Sequence, residues 1–381
     1  ARRQAEATGD TGAEARAENQ RAQAEYLSRF NLSSGPEWAY ELKTLPRPSG
    51  RATQVIYTEY DLPRPTISPH DVIVVNGTVW YSSFGEQFLG RMDPDTGEVT
   101  EYPLPLVKAD SPRGSLGLRP DRDGNIWIGM LFQGSIAKFD VKTETVQVWS
   151  LPPNLMKPYS QLTETAPAHH HVDNKIWVID SGEYSVKRLD LATGTWEMFQ
   201  PFGDEPHYNV YDVITDPENN VYFTVMGREH IGHINARTKE MTFFETPSKG
   251  SRPRRGMMDA MGQVWFGEFG LDKVGMLDTR TKLFKEWEVP TRGTWPYDAT
   301  VDREGYVWTA GMHTDRVVRL DPGTGQSVEY LLPRSAINIR RVFVDDENPG
   351  TPAFWVGSNH AGAIFKVERR EAASAEMTAR R

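Results

Sequence analysis

Apolar stretches a few residues long, broken by Gly, Asp, Asn and Pro, recur along the chain in a fixed frame. Each unit holds a turn residue, an aromatic anchor, a small or polar stretch, an apolar strand, an Asp/Thr turn and an aromatic-rich segment ending near Pro. The anchors are Trp80, Trp127, Trp177, Tyr222, Trp265, Trp308 and Trp355, spaced by 47, 50, 45, 43, 43 and 47 residues. About four strands per unit at this period is the pattern of a propeller blade. Seven units predict an all-β, seven-bladed β-propeller.

In the first unit, 71–75, 78–82, 88–93 and 98–103 read as four successive strands, from the innermost to the outermost. Asp93-Pro94-Asp95-Thr96-Gly97 separates the last two and suits a tight turn, with Gly97 supplying the positive φ. The same turn recurs as Asp140/Thr143, Asp190/Thr193, Asn235/Thr238, Asp278/Thr281 and Asp321/Thr324. The seventh unit has an inner strand near 340–344 and two more near 354–357 and 363–367, then no fourth. Gln54–Pro63 resembles the outer-strand endings of the other units, so the N-terminal strand is expected to complete the last blade and remove an open sheet edge.

The propeller is thus assigned to 51–368, preceded by a helical extension and linker (1–50) and followed by a tail (369–381). Within the extension, Ala22, Tyr26, Leu27 and Phe30 fall at helical spacing and Asn31–Gly35 reads as a stop, while 1–10 is expected to be disordered. The chain begins at Ala1, which suggests a processed or excerpted sequence, and no signal peptide is recognisable. No apolar run is long enough for a transmembrane segment.

Composition narrows the chemistry. There is no Cys, hence no disulfide, thiolate metal site or Cys nucleophile, and such a chain suits a periplasmic or secreted setting as well as the cytoplasm. The net charge of −9 argues against a nucleic-acid binder. No glycine-rich phosphate loop follows a strand and opens a helix, and no Ser nucleophile elbow is present.

The units resemble those of the virginiamycin B lyase (streptogramin B lyase) family. The echoes are Val264-Trp265-Phe266-Gly267-Glu268-Phe269-Gly270 with Lys273-Val274-Gly275, His230-Ile231-Gly232-His233-Ile234 and Phe88-Leu89-Gly90-Arg91. The resemblance spans about 54–368. It implies a C–O lyase that opens an ester or cyclic depsipeptide by elimination, with a His base and Mg²⁺ held by carboxylates at the mouth of the central channel. Glu268 matches the family's acidic position, but the residue fourteen before it, where the family has its His, is Arg254. A guanidinium cannot act as a base near neutral pH.

Counting back ten or eleven residues from the anchors places His70, Leu116, Tyr211, Arg254 and Tyr297 at equivalent inner-strand positions, with Asp71, Asp212 and Asp298 following three of them. Arg340 joins if 346–352 holds an insertion, and the third unit is blurred around His169-His170-His171. Aligned second strands put Ser83, Met130, Asp180, Val225, Glu268, Gly311 and Ser358 in a second ring, with His313 and His360 two residues beyond it and His207 just before the fourth inner strand.

For catalysis these alignments nominate His70 or His170 as base, Arg254 to stabilise negative charge, and Glu268; Glu268 and Asp180 are the candidate Mg²⁺ ligands. Tyr211, Arg255, Tyr297, His313, Arg340 and His360 are the candidate substrate-binding residues, suited to a small-molecule or peptide-like ligand carrying an anion. Structural roles compete with each of these. His70 can cap a turn with Asp71, Glu268 can pair with Arg254, the tyrosines can simply pack, and the arginines can be solvated. Two further functions stay open: a non-catalytic ligand- or protein-binding propeller of a larger envelope protein, using its N-terminal helix for a protein partner, and a lactonase-type hydrolase drawing on Glu268, Asp180 and Asn359.

Overall fold

The computed structural model describes residues 11–29, 44–203, 209–346 and 352–370, and in the N-terminal helix the side chains of Glu18 and of Gln20 onward. The chain divides into two compact units, 1–46 and 47–381. The first contains the helix Thr11–Ser28, in which Tyr26 and Leu27 are exposed. The expected stop at Asn31–Gly35 and the residue Phe30 lie outside the described residues.

The second unit is a ring of seven four-stranded antiparallel sheets. Six follow chain order, from Pro69–Val75, Thr78–Ser83, Phe88–Met92 and Val99–Pro103 in blade one to Thr300–Val301, Val307–Ala310, Arg316–Leu320 and Ser327–Leu331 in blade six. The seventh combines Val342–Asp345, Ala353–Ser358 and Ala363–Arg369 with the N-terminal strand Val55–Asp61, which runs antiparallel to the last strand from Val55 opposite Arg369 to Asp61 opposite Ala363. The expected closure is therefore present. The borrowed strand also brings the aromatic that outer strands elsewhere supply: Tyr60 stacks on Trp355 at 5.8 Å, as Trp149 does on Trp127 and Trp287 on Trp265. Deleting residues 1–63 should abolish cooperative thermal unfolding, because the last blade loses a strand and exposes an edge. Deleting 1–35 should leave the melting curve nearly unchanged, and circular dichroism melts of both truncations check this.

All seven anchor aromatics are buried at the blade interfaces. In blades two, five and six the indole N–H donates to an Asp six residues upstream, at 3.1 Å to Asp121, 2.8 Å to Asp259 and 2.7 Å to Asp302, which ties the second strand to the turn before it. The Asp/Thr turns form as expected. Asp93 Oδ1 accepts the backbone N–H groups of Asp95 and Thr96, and Asp140, Asp190, Asn235, Asp278 and Asp321 do the same.

One backbone feature positions the site. The inner strands of blades one, three, four and five each shift register by a bulge, between Pro69 and Val72, Leu162 and Glu164, Val210 and Val213, and Pro253 and Gly256. A regular strand sends consecutive side chains to opposite faces, whereas a bulge re-aims them. Here His70/Asp71, Thr163/Glu164, Tyr211/Asp212 and Arg254/Arg255 all fall at the shift.

Candidate functional site at the channel mouth

The bulged pairs build two stacked layers around the ring axis. The first residue of each pair belongs to a layer at the N-terminal ends of the inner strands: His70, Leu116, Thr163, Tyr211, Arg254, Tyr297 and Arg340. The second belongs to a layer deeper in the channel: Asp71, Gly117, Glu164, Asp212, Arg255, Asp298 and Arg341. Thr163 and Glu164 were hidden from sequence counting because the His169–His171 segment is itself an insertion. It forms a short 3-10 turn, His170–Val172, that lengthens the link from inner to second strand in blade three.

The deep layer is an ion network that closes the channel. Arg255 grips Asp71 at 2.6 and 3.0 Å and also contacts Glu164, while Arg341 donates to Asp71 at 2.8 Å. At Gly117 a Cβ would run into the Glu164 carboxylate, so only glycine leaves that acid its room. Arg119, two residues further, supplies the missing charge by holding both oxygens of Asp212 at 2.9 Å. Each blade thus contributes one charge, four acids and three arginines in all. Three of the acids also link neighbouring blades, since Asp71, Asp212 and Asp298 accept the backbone N–H of Leu118, Gly256 and Val342. Burial raises the Glu164 carboxyl to about 7 and that of Asp298 to about 6, whereas Asp71, despite its burial, is held well below the usual range by Arg255 and Arg341. Arg255 and Arg341 are therefore members of the buried plug, and Arg255 does not reach the mouth as expected of a substrate-binding residue.

Above the plug lies a cavity of about 490 Å³ lined by His70, Phe84, Phe132, Tyr159, Tyr211, Tyr184, Tyr297 and Arg340 among others. His70 is almost wholly buried, with Nδ1 2.8 Å from Asp71 Oδ1, so Nε2 is the nitrogen left to meet a ligand. Burial, aided by Arg255 and Arg340, lowers its pKa to about 4 and keeps the imidazole neutral near pH 7. The Tyr297 ring lies 6.2 Å away, edge to face. Tyr211 and Tyr297 share a hydrogen bond between their hydroxyls, and Arg340 donates to the Tyr297 hydroxyl at 3.3 Å. Arg254 sits behind the tyrosines, its guanidinium 3.9 Å from the Tyr297 ring centre, 4.1 Å from Phe269 and 4.5 Å from Tyr211, donating to the Tyr211 hydroxyl at 3.0 Å. Burial opposes ionisation of Tyr297, but Arg254, Arg340 and Arg255 together bring its phenol below the usual range, while Tyr211 is pushed up.

The structure brings together His70, Tyr211, Arg254, Tyr297 and Arg340, sets His313 at the rim beside them through Trp295 and Phe269, and leaves His170, Asp180 and Glu268 apart from this group. His170 is at the opposite end of the inner strands, where its Nδ1 lies 2.6 Å from the Pro167 carbonyl and its ring packs on Trp127. His313 is exposed and stacks on Trp295 at 4.5 Å, and His360 is exposed in the turn after Ser358. His207 lies outside the described residues. Asp180 is committed to Lys187 at 2.8 Å and to the backbone N–H groups of Gln161, Gly182 and Glu183. Asn359 meets Asn338 at 3.4 Å.

Glu268 pairs with neither Arg254 nor Asp180. Its carboxyl lies over Gly275 and near Lys273 and Glu286 of its own blade, and burial with the Glu286 charge raises it to about 8. Among the described residues no group of three or more acidic or His side chains is placed to hold a metal ion. The carboxylate pair expected for Mg²⁺ thus does not assemble: Lys187 takes Asp180, and Glu268 turns into its own blade, where Lys273 is taken by Glu286 and neither Glu268 oxygen has a hydrogen-bond partner. An acid whose folded pKa lies above its unfolded value binds extra protons when folded, so Glu268 weakens stability as pH rises from about 4.5 to about 8. Glu268→Gln should match the wild type near pH 5 and melt higher above pH 8, as paired thermal melts would read.

The fold and its plugged mouth define a seven-bladed β-propeller with a ligand-sized cavity above the plug. More particularly, the fold is like that of virginiamycin B lyase, and part of the sequence matches that family. The sequence model of the Virginiamycin B lyase family matches residues 204–377. The crystal structure of selenomethionine-substituted virginiamycin B lyase from Staphylococcus aureus superposes with a TM-score of 0.70 at 19% identity, covering 83% of this chain and 99% of that one. A streptogramin B lyase structure gives 0.70 and 19%, covering 84% and 99%. A catalytically inactive variant of the S. aureus enzyme with quinupristin gives 0.68 and 20%, covering 83% and 99%. At these identities the likeness is one of fold. No curated protein sequence matches the chain.

Proposed function

We propose that the mouth cavity binds an ester-bearing, partly aromatic ligand such as a cyclic depsipeptide and opens it by elimination, acting as a C–O lyase. The observation that carries this reading is a neutral His70, oriented by Asp71, facing Tyr297 and Arg340 across one cavity. His70 Nε2 takes the proton from the carbon α to a carbonyl. The released electron pair forms a C=C bond, the bond from the β carbon to the ester oxygen breaks, and a carboxylate departs. No water is consumed. The Arg340 guanidinium and Tyr297 hydroxyl are the donors that meet developing negative charge, and Arg254 fixes both tyrosines from behind. The aromatic walls supply most of the contact area, and the volume suits a drug-sized ligand. No step is routed through Mg²⁺, because the described residues do not form its oxygen donor set.

Quinupristin, present with the S. aureus variant, is a suitable test substrate. Mass spectrometry should find a ring-opened product of unchanged mass, whereas hydrolysis would add one water. The unassembled Asp180 and Glu268 favour a second reading, a propeller that binds such ligands without turning them over. Calorimetric binding with no product would establish that reading instead. If the lyase reading holds, the acid limb of kcat/KM should fall near pH 4 rather than 6.5, because only the neutral imidazole accepts a proton and burial has lowered its pKa to about 4.

A further inference from the structure

A second cavity, of about 420 Å³, opens at the C-terminal ends of the inner strands, on the far side of the ion plug from the mouth. Its walls come from blades two to five: Pro120; Ala166, Pro167 and Ala168; Val213 and Ile214; Met257 and Met258. Arg119, Thr165, His169, Thr215 and Asp259 are its polar groups. Thr165 is fully buried, and its hydroxyl has no hydrogen-bond partner. Nearby, Arg119 Nε is also buried without one. A buried polar atom left unpaired is costly, and among the polar groups lining this mainly apolar cavity His169 and Thr215 satisfy each other at 3.0 Å, so the unpaired Thr165 hydroxyl marks where a ligand atom completes the set.

We infer that this cavity is a binding site for a neutral, mainly apolar small molecule carrying one hydrogen-bonding oxygen, which meets the Thr165 hydroxyl. Neutrality follows from the plug. The Arg119 charge is already spent on Asp212 at 2.9 Å and Glu164 at 3.8 Å, so an anionic ligand would approach two acids for one shared guanidinium. The remaining carboxylate, Asp259, accepts the Trp265 indole N–H and the backbone N–H groups of Met261 and Gln263, so it offers a cation little. Met257 and Met258 give one wall that adapts to ligand shape. The site is independent of the mouth chemistry, since no lining residue is shared between the two cavities.

The test uses 2-naphthol, neutral at pH 7 and of suitable size, with the full chain. Binding is followed by calorimetry and its location by crystal soaks. Density in this cavity with the naphthol oxygen on Thr165 Oγ1 is expected. Ala168→Trp, an exposed position at the rim, should raise Kd at least about tenfold by filling the cavity, and Thr165→Val should raise it about three- to tenfold, consistent with loss of one hydrogen bond. Phe132→Ala, at the mouth, should leave Kd unchanged. Thermal melts of each variant separate lost binding from lost folding. Absence of binding by the wild type, density only in the mouth cavity, or a folded Ala168→Trp that binds as the wild type does would each overturn the inference.

Discussion

Replacing His70 by asparagine is expected to reduce turnover of a cyclic depsipeptide by about 10²–10⁴-fold, the range a positioned general base contributes. Asparagine keeps an N–H near the position of Nδ1, so the bond to Asp71 and the plug beneath it survive, while the nitrogen that faces the cavity is lost. Ligand affinity should change little, since the aromatic walls, Tyr297 and Arg340 are untouched. Steady-state kinetics and calorimetry on the same preparation separate the two quantities. Turnover that persists undiminished would remove His70 from the chemistry, and a large loss of affinity would make it a binding residue.

The largest stability effect is expected at Arg255. Replacing it with methionine leaves Asp71 with Arg341 as its one guanidinium partner and Glu164 with only the longer contact to Arg119, both deep in the ring. Removing one member of a buried ion network costs about 3–5 kcal/mol, because the remaining charge stays out of water. The loss should ease as pH falls from 8 to 5. Glu164 already sits near 7, above its unfolded value, so the folded state binds the extra proton and gains stability toward acid. Arg255→Lys should fall between the two, since an ammonium keeps the charge but not the fork that spans Asp71 and Glu164. Denaturant unfolding at both pH values measures all three.

The site was only partly visible before folding. His70, Tyr211, Arg254, Tyr297 and Arg340 emerge from counting because they occupy one register position of the repeat. Thr163 and Glu164 escape, because a three-residue lengthening before Trp177 shifts them out of phase and draws the eye to His169–His171 instead. Glu268 fits the motif of a resembling family, yet motif position says nothing about rotamer, and its side chain turns over Gly275 rather than toward the axis. Asp180 is lost as a ligand for the same reason, with Lys187 taking its carboxylate.

The sequence by itself determined the number of blades, the Asp/Thr turns, the borrowed N-terminal strand and the ring of residues nearest the mouth. All of these repeat at a fixed period, and periodicity is a local property that needs no knowledge of distant neighbours. Only the tertiary structure decided which charges meet. Asp71 and Arg255 lie 184 positions apart, and Arg341 reaches the same carboxylate from the last blade. Their convergence depends on ring closure and on bulges that turn two successive side chains inward, so the plug that separates the two cavities exists only once the seven blades have closed.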